Sequence, residues 1–312
     1  RERAIDAGAA VGGEEREITH PLAPSRPHTL QPGTVGTVQR ALQLIDEWPV
    51  PTVAAGVRAA DGTVTVRGDG DRPFRLASVT KLLTAVAVLV AVEEGTIGLD
   101  EPVPIPPGAT VRDLLAHSSG LAPDRDDALM APRRKRVYSN RGYELLGELV
   151  TERSGIPFAD YLREAVLEPL GMMATTLEGT CAAGGVSTVD DLLRFAGAIA
   201  PGSRAGVLSD DMLVAFSTPQ FPDLDGVLPG YGRQAPNPWG LGPEIRGTKS
   251  PHWTGSRNSP ATFGHFGQAG TFLWVDPAVD AALVVLTDRD FGDWALPRWP
   301  ALSDAVLEAL GA

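Results

Sequence analysis

The chain has 312 residues, 43% hydrophobic and 21% charged, which excludes fully disordered and fibrous classes and leaves room for one large domain or two smaller ones. Its formal net charge of −12 argues against a nucleic-acid partner, because binding a phosphate backbone needs a positive surface. A single cysteine, Cys181, excludes an internal disulfide framework and a cysteine-based zinc site.

No segment is predicted to cross a membrane, because the longest apolar run, residues 82–92, is too short to span a bilayer. The given chain starts at Arg1 without an apolar leader behind it, which favours a cytoplasmic location, although processing from a longer form stays possible. The compartment and the oligomeric state are left open.

The residue pattern in the first third of the chain predicts one helix and one β-hairpin. Residues 1–32 mix charges, glycine and proline without periodicity, and we expect a tail or strap on the surface. Apolar residues at positions 35, 38, 42 and 45 predict an amphipathic helix that ends before Pro49. The run 53–60, a turn at Asp61-Gly62 and the alternation at 63–66 predict a β-hairpin.

Helices are predicted through the middle of the chain. Ser78 is expected to act as the N-cap of an apolar helix from 79 to about 94. Further helices are predicted over residues 111–116, 143–154, 158–167 and from 187–190 onward. A Pro- and Gly-rich stretch at 221–260 indicates a long irregular segment.

The last part of the chain returns to strands. Residues 271–275 and 281–286 flank a turn at Asp276-Pro277 and predict a second hairpin, followed by a helix over 302–310. Strands near both ends with helices between them predict an α+β fold, an antiparallel sheet flanked by the terminal helices with a mostly helical insertion. We expect a sheet lobe from residues 33–77 and 240–312, a helical lobe from 78–239, and an active site in the cleft between them.

The first candidate for chemistry is Ser78-Val79-Thr80-Lys81. A spacing of three on a helix brings Lys81 to the face that carries Ser78. The alternative is a capped helix with a surface lysine, but a cation in the first turn opposes the helix dipole. Lys81 also begins the most apolar helix of the chain, where burial lowers the pKa of an ammonium group. A lysine near neutrality beside a hydroxyl activates serine as a nucleophile.

Lysine itself is scarce, because only Lys81, Lys135 and Lys249 are lysines among 27 basic residues. Arginine cannot replace Lys81 as a base, since a guanidinium does not release its proton at working pH. We interpret Lys135 and Lys249 as ordinary charges, and the basic run at 133–136 as a solvated loop.

The second candidate is Tyr138-Ser139-Asn140, just before a predicted helix. A phenol serves as a base or proton shuttle only beside a cation, and Lys81 is available for that role. Asn140 offers an amide to the lysine and to the substrate. A buried tyrosine followed by a turn asparagine is the structural alternative.

The third candidate is Gly264-His265-Phe266-Gly267, followed by Gln268 and a strand. Glycine on an edge strand allows a ligand backbone to approach closely. The N–H of Gln268, together with the N–H groups at the helix start, is suited to hold an oxyanion. No common metal-binding spacing or nucleotide-binding loop is present, and the five histidines are scattered, so neither a metal nor a cofactor is expected.

The order SxxK, YxN and HxG resembles that of the penicillin-recognising serine hydrolases, specifically the class C β-lactamase-related branch. That branch includes DD-carboxypeptidases, D-amino-acid-releasing peptidases and esterases. The resemblance covers roughly residues 35–310 and extends to segments at 74–81, 114–121, 168–172 and 184–188. It implies a β-lactamase/transpeptidase-like fold.

The resemblance also implies site roles. Ser78 would be the acylated nucleophile, with Lys81 and Tyr138 sharing the general-base work. Asn140 would orient the lysine and the substrate, and His265 would stand where the family has Lys or His. The remaining implied roles are an oxyanion hole from the N–H groups of Ser78 and Gln268, a substrate-side position for Gly267, and a structural role for His117.

Phe266 departs from the pattern of the family. β-Lactamases and transpeptidases usually carry Thr or Ser there, and its hydroxyl holds the carboxylate of the substrate. The neighbouring His265 is mostly neutral at pH 7, so carboxylate capture is weakened twice. We predict a metal-free serine hydrolase for a small neutral ester or amide. A β-lactamase, DD-carboxypeptidase or D-aminopeptidase is the alternative, and a non-catalytic binding protein whose site is blocked by Phe266 is the third.

Overall fold

The computed structural model describes residues 34–203 and 206–312, so the tail predicted at 1–32 lies outside the described part. Eight α-helices are present in it: α1 Thr34–Leu42, α2 Thr80–Glu93, α3 Val111–Leu115, α4 Asn140–Ser154, α5 Phe158–Leu162, α6 Val189–Ile199, α7 Asp210–Ser217 and α8 Ala295–Leu310. Its strands are β1 Val53–Arg58, β2 Val64–Arg67, β3 Phe74–Arg75, β4 Thr176–Leu177, β5 Gly185–Ser187, β6 Gly226–Leu228, β7 Gly232–Gln234, β8 Glu244–Ile245, β9 Phe263–Gly267, β10 Thr271–Asp276 and β11 Ala281–Thr287.

The main sheet combines strands from the first third of the chain with strands from its last third. Its order is β2-β1-β11-β10-β9-β8, with every neighbouring pair antiparallel. The two predicted hairpins supply four of these strands, and β1 joins them to each other through pairs such as Gly56 with Val284. The prediction of an antiparallel sheet assembled from distant segments is confirmed.

Both faces of this sheet are covered. Ala54, Val284 and Leu286 belong to the core shared with the helices of the middle of the chain. Ala55 and Val285, on the opposite face, belong to a second core under α1 and α8. Alternation along each strand explains how adjacent residues enter different cores.

Helix α2 runs through the centre of the first core. Twelve of its 14 residues are buried, which is the expected position for a helix that is apolar on all sides. This burial carries Lys81 into the interior with its neighbours. No helix among residues 34–203 and 206–312 combines the length and apolar character needed to cross a membrane.

Several boundaries differ from the prediction. Helix α4 begins three residues early, at Asn140, because the Ser139 side chain accepts a hydrogen bond from the Gly142 N–H and caps it. Helix α8 begins at Ala295 and contains Pro300, and the irregular stretch 221–260 includes β6, β7 and β8. The helix predicted over 158–167 is α5 continued by a π-helical turn, Arg163–Leu167.

Candidate active site

Ser78 lies in the middle of a 3₁₀ turn, Ala77–Val79, directly before α2. The prediction that it is the N-cap is wrong, because Val79 occupies that position and no side chain caps the helix. The turn is held by a 2.6 Å hydrogen bond from the Thr80 hydroxyl to the Ala77 carbonyl. Ala77 has a left-handed φ of 46°, a conformation that alanine rarely adopts. The Ser78 hydroxyl is therefore presented to a cavity instead of the helix end.

Lys81 points from the first turn of α2 toward that hydroxyl. Its Nζ lies 3.3 Å from Ser78 Oγ, 2.6 Å from Asn140 Oδ1 and 2.9 Å from the Ala182 carbonyl oxygen. Burial lowers the pKa of Lys81 to about 7, and nearby anionic groups oppose that shift only in part. The predicted desolvation of this lysine is what the structure shows.

Tyr138 and Asn140 come from the chain segment that leads into α4. The Tyr138 ring lies 4.8 Å from Lys81 Nζ, measured to its centroid. Burial raises the pKa of the Tyr138 phenol above its usual range, and a hydrogen bond with Ser78 lowers it only partly. The neutral phenol is therefore the stable form of Tyr138 at neutral pH.

His265 reaches the same place from β9. Its Nδ1 is 2.6 Å from the Phe266 carbonyl oxygen, so Nδ1 carries the proton and Nε2 is left as an acceptor. Nε2 faces the Tyr138 hydroxyl at 3.4 Å. Burial lowers the pKa of His265 to about 3, and the charge of Lys81 adds to that effect. This histidine is neutral at physiological pH.

Gly267 permits the close approach of β9 to the serine turn. A Cβ atom at this position would collide with the Leu76 carbonyl oxygen and would lie 2.6 Å from Thr271 Oγ1. The backbone that approaches Gly267 thus belongs to the protein itself, and it is the backbone just ahead of Ser78. Gln268 follows and lines the same cavity as Ser78.

The cavity has a volume of about 620 Å³. Ser78, Tyr138, Asn140, His265 and Gln268 all line it. Much of the remaining lining is apolar, from Met130, Val137, Val227, Leu228, Pro229, Trp239 and Phe266.

The Phe266 ring forms part of the cavity wall. It is only 8% exposed and packs against Tyr231, Trp253, Phe291 and Trp299, with ring centroids 5.1 to 6.0 Å apart. The ring is thus held in the core under α1 and α8, and it leaves the space in front of Ser78 open. The Phe266 ring therefore does not fill the cavity that Ser78 lines.

Comparison with known proteins shows the family of the chain. A family model for β-lactamases matches residues 41–307. The solved structure of a β-lactamase from Mycobacterium bovis is 56% identical, covers 87% of this chain and 100% of its own, and superposes with a TM-score of 0.84. The chain belongs to the β-lactamase family of serine hydrolases. Its α+β, β-lactamase/transpeptidase-like fold is thereby confirmed.

More distant relatives match parts of the chain or share its fold. A penicillin-binding protein from Bacillus subtilis is 31% identical over 33% of this chain and 30% of its own length. The D-alanyl-D-alanine-carboxypeptidase/endopeptidase AmpH of Escherichia coli is 29% identical over 36% and 38%. The chain thus spans about a third of these relatives. EstCE1, a hydrolase with promiscuous acyltransferase activity, shares the fold at 18% identity, with a TM-score of 0.71 over 88% of this chain and 98% of its own.

His117 has a structural position in this β-lactamase-family site. It is 1% exposed, its Nδ1 accepts the Ser139 N–H at 3.2 Å, and its ring lies 4.5 Å from that of Tyr138. Burial lowers the pKa of His117 well below its usual range. The ring therefore supports the Tyr138 segment as a neutral group.

The interpretation of 133–136 as a solvated loop is wrong for Arg136, whereas Arg133, Arg134 and Lys135 are exposed. Arg136 is buried and donates to four backbone carbonyls, those of Ala116, Gln220, Phe221 and Asn237. Arg133 forms a bidentate pair with the fully buried Asp113. These contacts form because the loop folds against distant segments. The charge pattern of four neighbouring residues does not predict such contacts.

Lys249 is not the ordinary charge that the sequence suggested. It is buried, with Nζ 2.5 Å from Glu244 Oε1, and His252 Nε2 lies 2.8 Å from the same oxygen. Burial alone would raise the pKa of Glu244, but Lys249 and His252 hold it well below its usual range. Glu244 also lines the cavity, so one residue of this cluster belongs to the cavity wall.

Proposed function

We propose that this protein is a serine hydrolase that forms an acyl-enzyme on Ser78 and prefers small neutral esters. One observation carries the proposal, the 3.3 Å approach of Lys81 Nζ to Ser78 Oγ at a lysine whose pKa is about 7. In the neutral amine, two N–H bonds are directed to Asn140 Oδ1 and the Ala182 carbonyl. The lone pair is then left for the proton of Ser78.

The reaction begins when Lys81 takes the Ser78 proton and Oγ attacks the ester carbonyl carbon. The N–H groups of Ser78 and Gln268 are the proposed donors to the resulting oxyanion. Collapse of the tetrahedral intermediate breaks the bond to the leaving alkoxide, which is protonated by the lysine ammonium through Tyr138. Tyr138 passes this proton on and regains one, which suits a phenol with a raised pKa. Water then hydrolyses the acyl-enzyme by the same steps.

The preference for neutral esters rests on the third motif itself, in which neither His265 nor Phe266 offers a charge or a hydroxyl to a carboxylate. His265 is neutral, because its pKa is about 3, and its Nδ1 proton is directed to the Phe266 carbonyl. Phe266 contributes a ring where a hydroxyl would be needed. Arg136, the buried cation of the loop 133–136, already donates hydrogen bonds to four backbone carbonyls. The apolar lining of the cavity suits an uncharged acyl group.

The second candidate is a β-lactamase or DD-peptidase activity. The 56% identical Mycobacterium bovis protein is called a β-lactamase, and AmpH is called a D-alanyl-D-alanine-carboxypeptidase/endopeptidase. Exposed Lys135 also lies on the cavity wall, where it offers a cation to a substrate carboxylate.

A panel of p-nitrophenyl esters, a chromogenic cephalosporin and a D-Ala-D-Ala peptide tests the two candidates, with Ser78→Ala as the control. We expect ester turnover to dominate, and intact mass after brief ester exposure to show an acyl adduct that Ser78→Ala lacks. Cephalosporin hydrolysis at a rate equal to ester turnover would favour the second candidate. Absence of any adduct between pH 6 and 10 would contradict both.

A further inference from the structure

Asp124 contacts the site without belonging to any of the three motifs. It is exposed on the cavity wall, and its Oδ1 accepts a 2.8 Å hydrogen bond from Asn140 Nδ2. The other end of the same amide, Asn140 Oδ1, accepts from Lys81 Nζ at 2.6 Å. Asp124, Asn140 and Lys81 thus form a short chain of hydrogen bonds that ends at Ser78.

The orientation of the Asn140 amide matters because its two ends have the same shape and opposite hydrogen-bonding character. While Lys81 is an ammonium it has only donors, so it selects the amide oxygen by itself. Once Lys81 is neutral, its lone pair can accept a proton from an amide N–H. A flipped amide would then bind the lone pair that must receive the proton of Ser78.

We propose that Asp124 is a positioning residue that fixes the Asn140 amide and so reserves the lone pair of Lys81 for Ser78. A carboxylate is suited to this task, because it only accepts hydrogen bonds and excludes the flipped amide. This inference rests on the function proposed above, since it assigns a task only if Lys81 is the base.

The charge of Asp124 has a second, separable effect. A carboxylate near Lys81 favours the ammonium form, and Asp124 is one of the groups that oppose the lowering of its pKa. Other titratable groups face Lys81 from α4, from the loop before β5, from β9 and from the loop after α3: Glu144, Tyr138, Tyr143, Cys181, His265 and His117. Among these groups, Glu144 is the other carboxylate that favours the ammonium form. Because Asp124 acts in the same direction, removal of its charge should lower the pKa of Lys81 further.

Two substitutions separate the orientation from the charge. Asp124→Asn removes the charge and keeps an oxygen that can accept from Asn140 Nδ2, but its N–H groups also allow the flipped amide. Asp124→Leu has a similar shape and removes both. Asp127→Asn is the matched control, because Asp127 is an exposed carboxylate of the same loop that pairs with Arg125. Thermal unfolding of each variant shows whether it is folded.

The first measurement is kcat/KM for p-nitrophenyl acetate from pH 5 to 9. We expect Asp124→Leu to lower the high-pH plateau by about tenfold or more, as loss of a positioning interaction does. Asp124→Asn still holds the Asn140 amide, but in either orientation, so it should lower the plateau less than Asp124→Leu does and move the acidic limb to lower pH. Asp127→Asn should match the wild type. A wild-type plateau in Asp124→Leu, or an equal loss in both Asp124 variants, would overturn the proposal.

The second measurement does not depend on turnover. Because the chain has only three lysines, ¹³C-lysine labelling gives three resolvable titrations, and Lys81→Arg identifies that of Lys81. We expect a lower pKa for Lys81 in both Asp124 variants than in the wild type, also in the Ser78→Ala background. Absence of ester turnover in the wild type would refute the proposed function alone. An unchanged Lys81 titration in Asp124→Leu would refute the contact between Asp124 and the base.

Discussion

The protonation state of the Lys81 amine determines whether Ser78 can react, because only the neutral amine can accept the Ser78 proton. With a pKa of about 7, half of the lysine is neutral near physiological pH, and the neutral fraction falls about tenfold per pH unit below that value. We therefore expect kcat/KM for p-nitrophenyl acetate to rise from pH 5 to 7 and to level off above about pH 8. Lys81→Arg should abolish the reaction, because arginine keeps its proton. A limb centred near the ordinary lysine pKa of about 10.4 would contradict this role.

Sequence patterns predicted residues that the structure brings together where the chemistry needs a local arrangement. The i, i+3 spacing of Ser78 and Lys81 is fixed by the helix, and the structure brings Tyr138, Asn140 and His265 to them. Residues that act through distant contacts left no local signal. Asp124, for example, joins the site only because its loop folds against the start of α4.

At the scale of elements, the approach of β9 to the serine turn depends on Gly267. We expect Gly267→Ala to separate β9 from the Ala77–Val79 turn and to lower kcat for ester hydrolysis by about tenfold or more. Gly98→Ala is a suitable control, because a Cβ there meets nothing closer than 3.6 Å. Steady-state kinetics and thermal unfolding of the two variants test this. Wild-type kcat in a folded Gly267→Ala variant would show that the spacing is not needed.

Phe266 belongs to the third motif, and its ring packs in the core under α1 and α8. Replacement by threonine supplies a hydroxyl at this position, and we expect Phe266→Thr to raise any cephalosporin hydrolysis relative to ester hydrolysis. The same change removes a ring from an aromatic cluster and should cost about 3–5 kcal/mol of unfolding free energy. Urea unfolding and the ratio of the two activities measure both effects. An unchanged ratio would contradict the carboxylate argument.

Elements were predictable from sequence where a turn or a cap marks them. Asp61-Gly62 and Asp276-Pro277 located the two hairpins, and Gly155 marked the end of α4, where it takes a left-handed φ of 74°. The 3₁₀ turn at Ser78 was missed, because Ser before an apolar helix is also the usual pattern of an N-cap. A second contact that holds the turn in place, between the Leu76 N–H and the Gly185 carbonyl, comes from a segment more than 100 residues away.

At the scale of the molecule, Glu244 and Lys249 place opposite charges in the interior behind the cavity. Glu244→Gln leaves the Lys249 ammonium buried without its counter-charge, and we expect a loss of about 3–5 kcal/mol in unfolding free energy at pH 7. Because the pKa of Glu244 is lowered on folding, its contribution in the wild type is complete above the unfolded pKa of about 4.3 and declines as the pH falls below it.

Urea unfolding from pH 2 to 7 measures this contribution. Wild type should lose more stability than Glu244→Gln between about pH 4 and pH 2, and Asp127→Asn, which breaks an exposed pair, should change the unfolding free energy by about 1 kcal/mol or less. Equal acid sensitivity of the wild type and Glu244→Gln would contradict the assignment of an ionised buried glutamate.

The division of the chain into a sheet lobe and a helical lobe stays a prediction, and the cores indicate how the two would unfold. All six tryptophans belong to the core under α1 and α8, whereas helices α2 to α6 pack in the other core, which also includes one face of the sheet. Tryptophan fluorescence therefore reports the core under α1 and α8, whereas far-UV circular dichroism is weighted toward the other core, which holds most of the helices. Because the sheet contributes to both cores, we expect coincident urea transitions by the two probes. Separate midpoints would show that the lobes unfold independently.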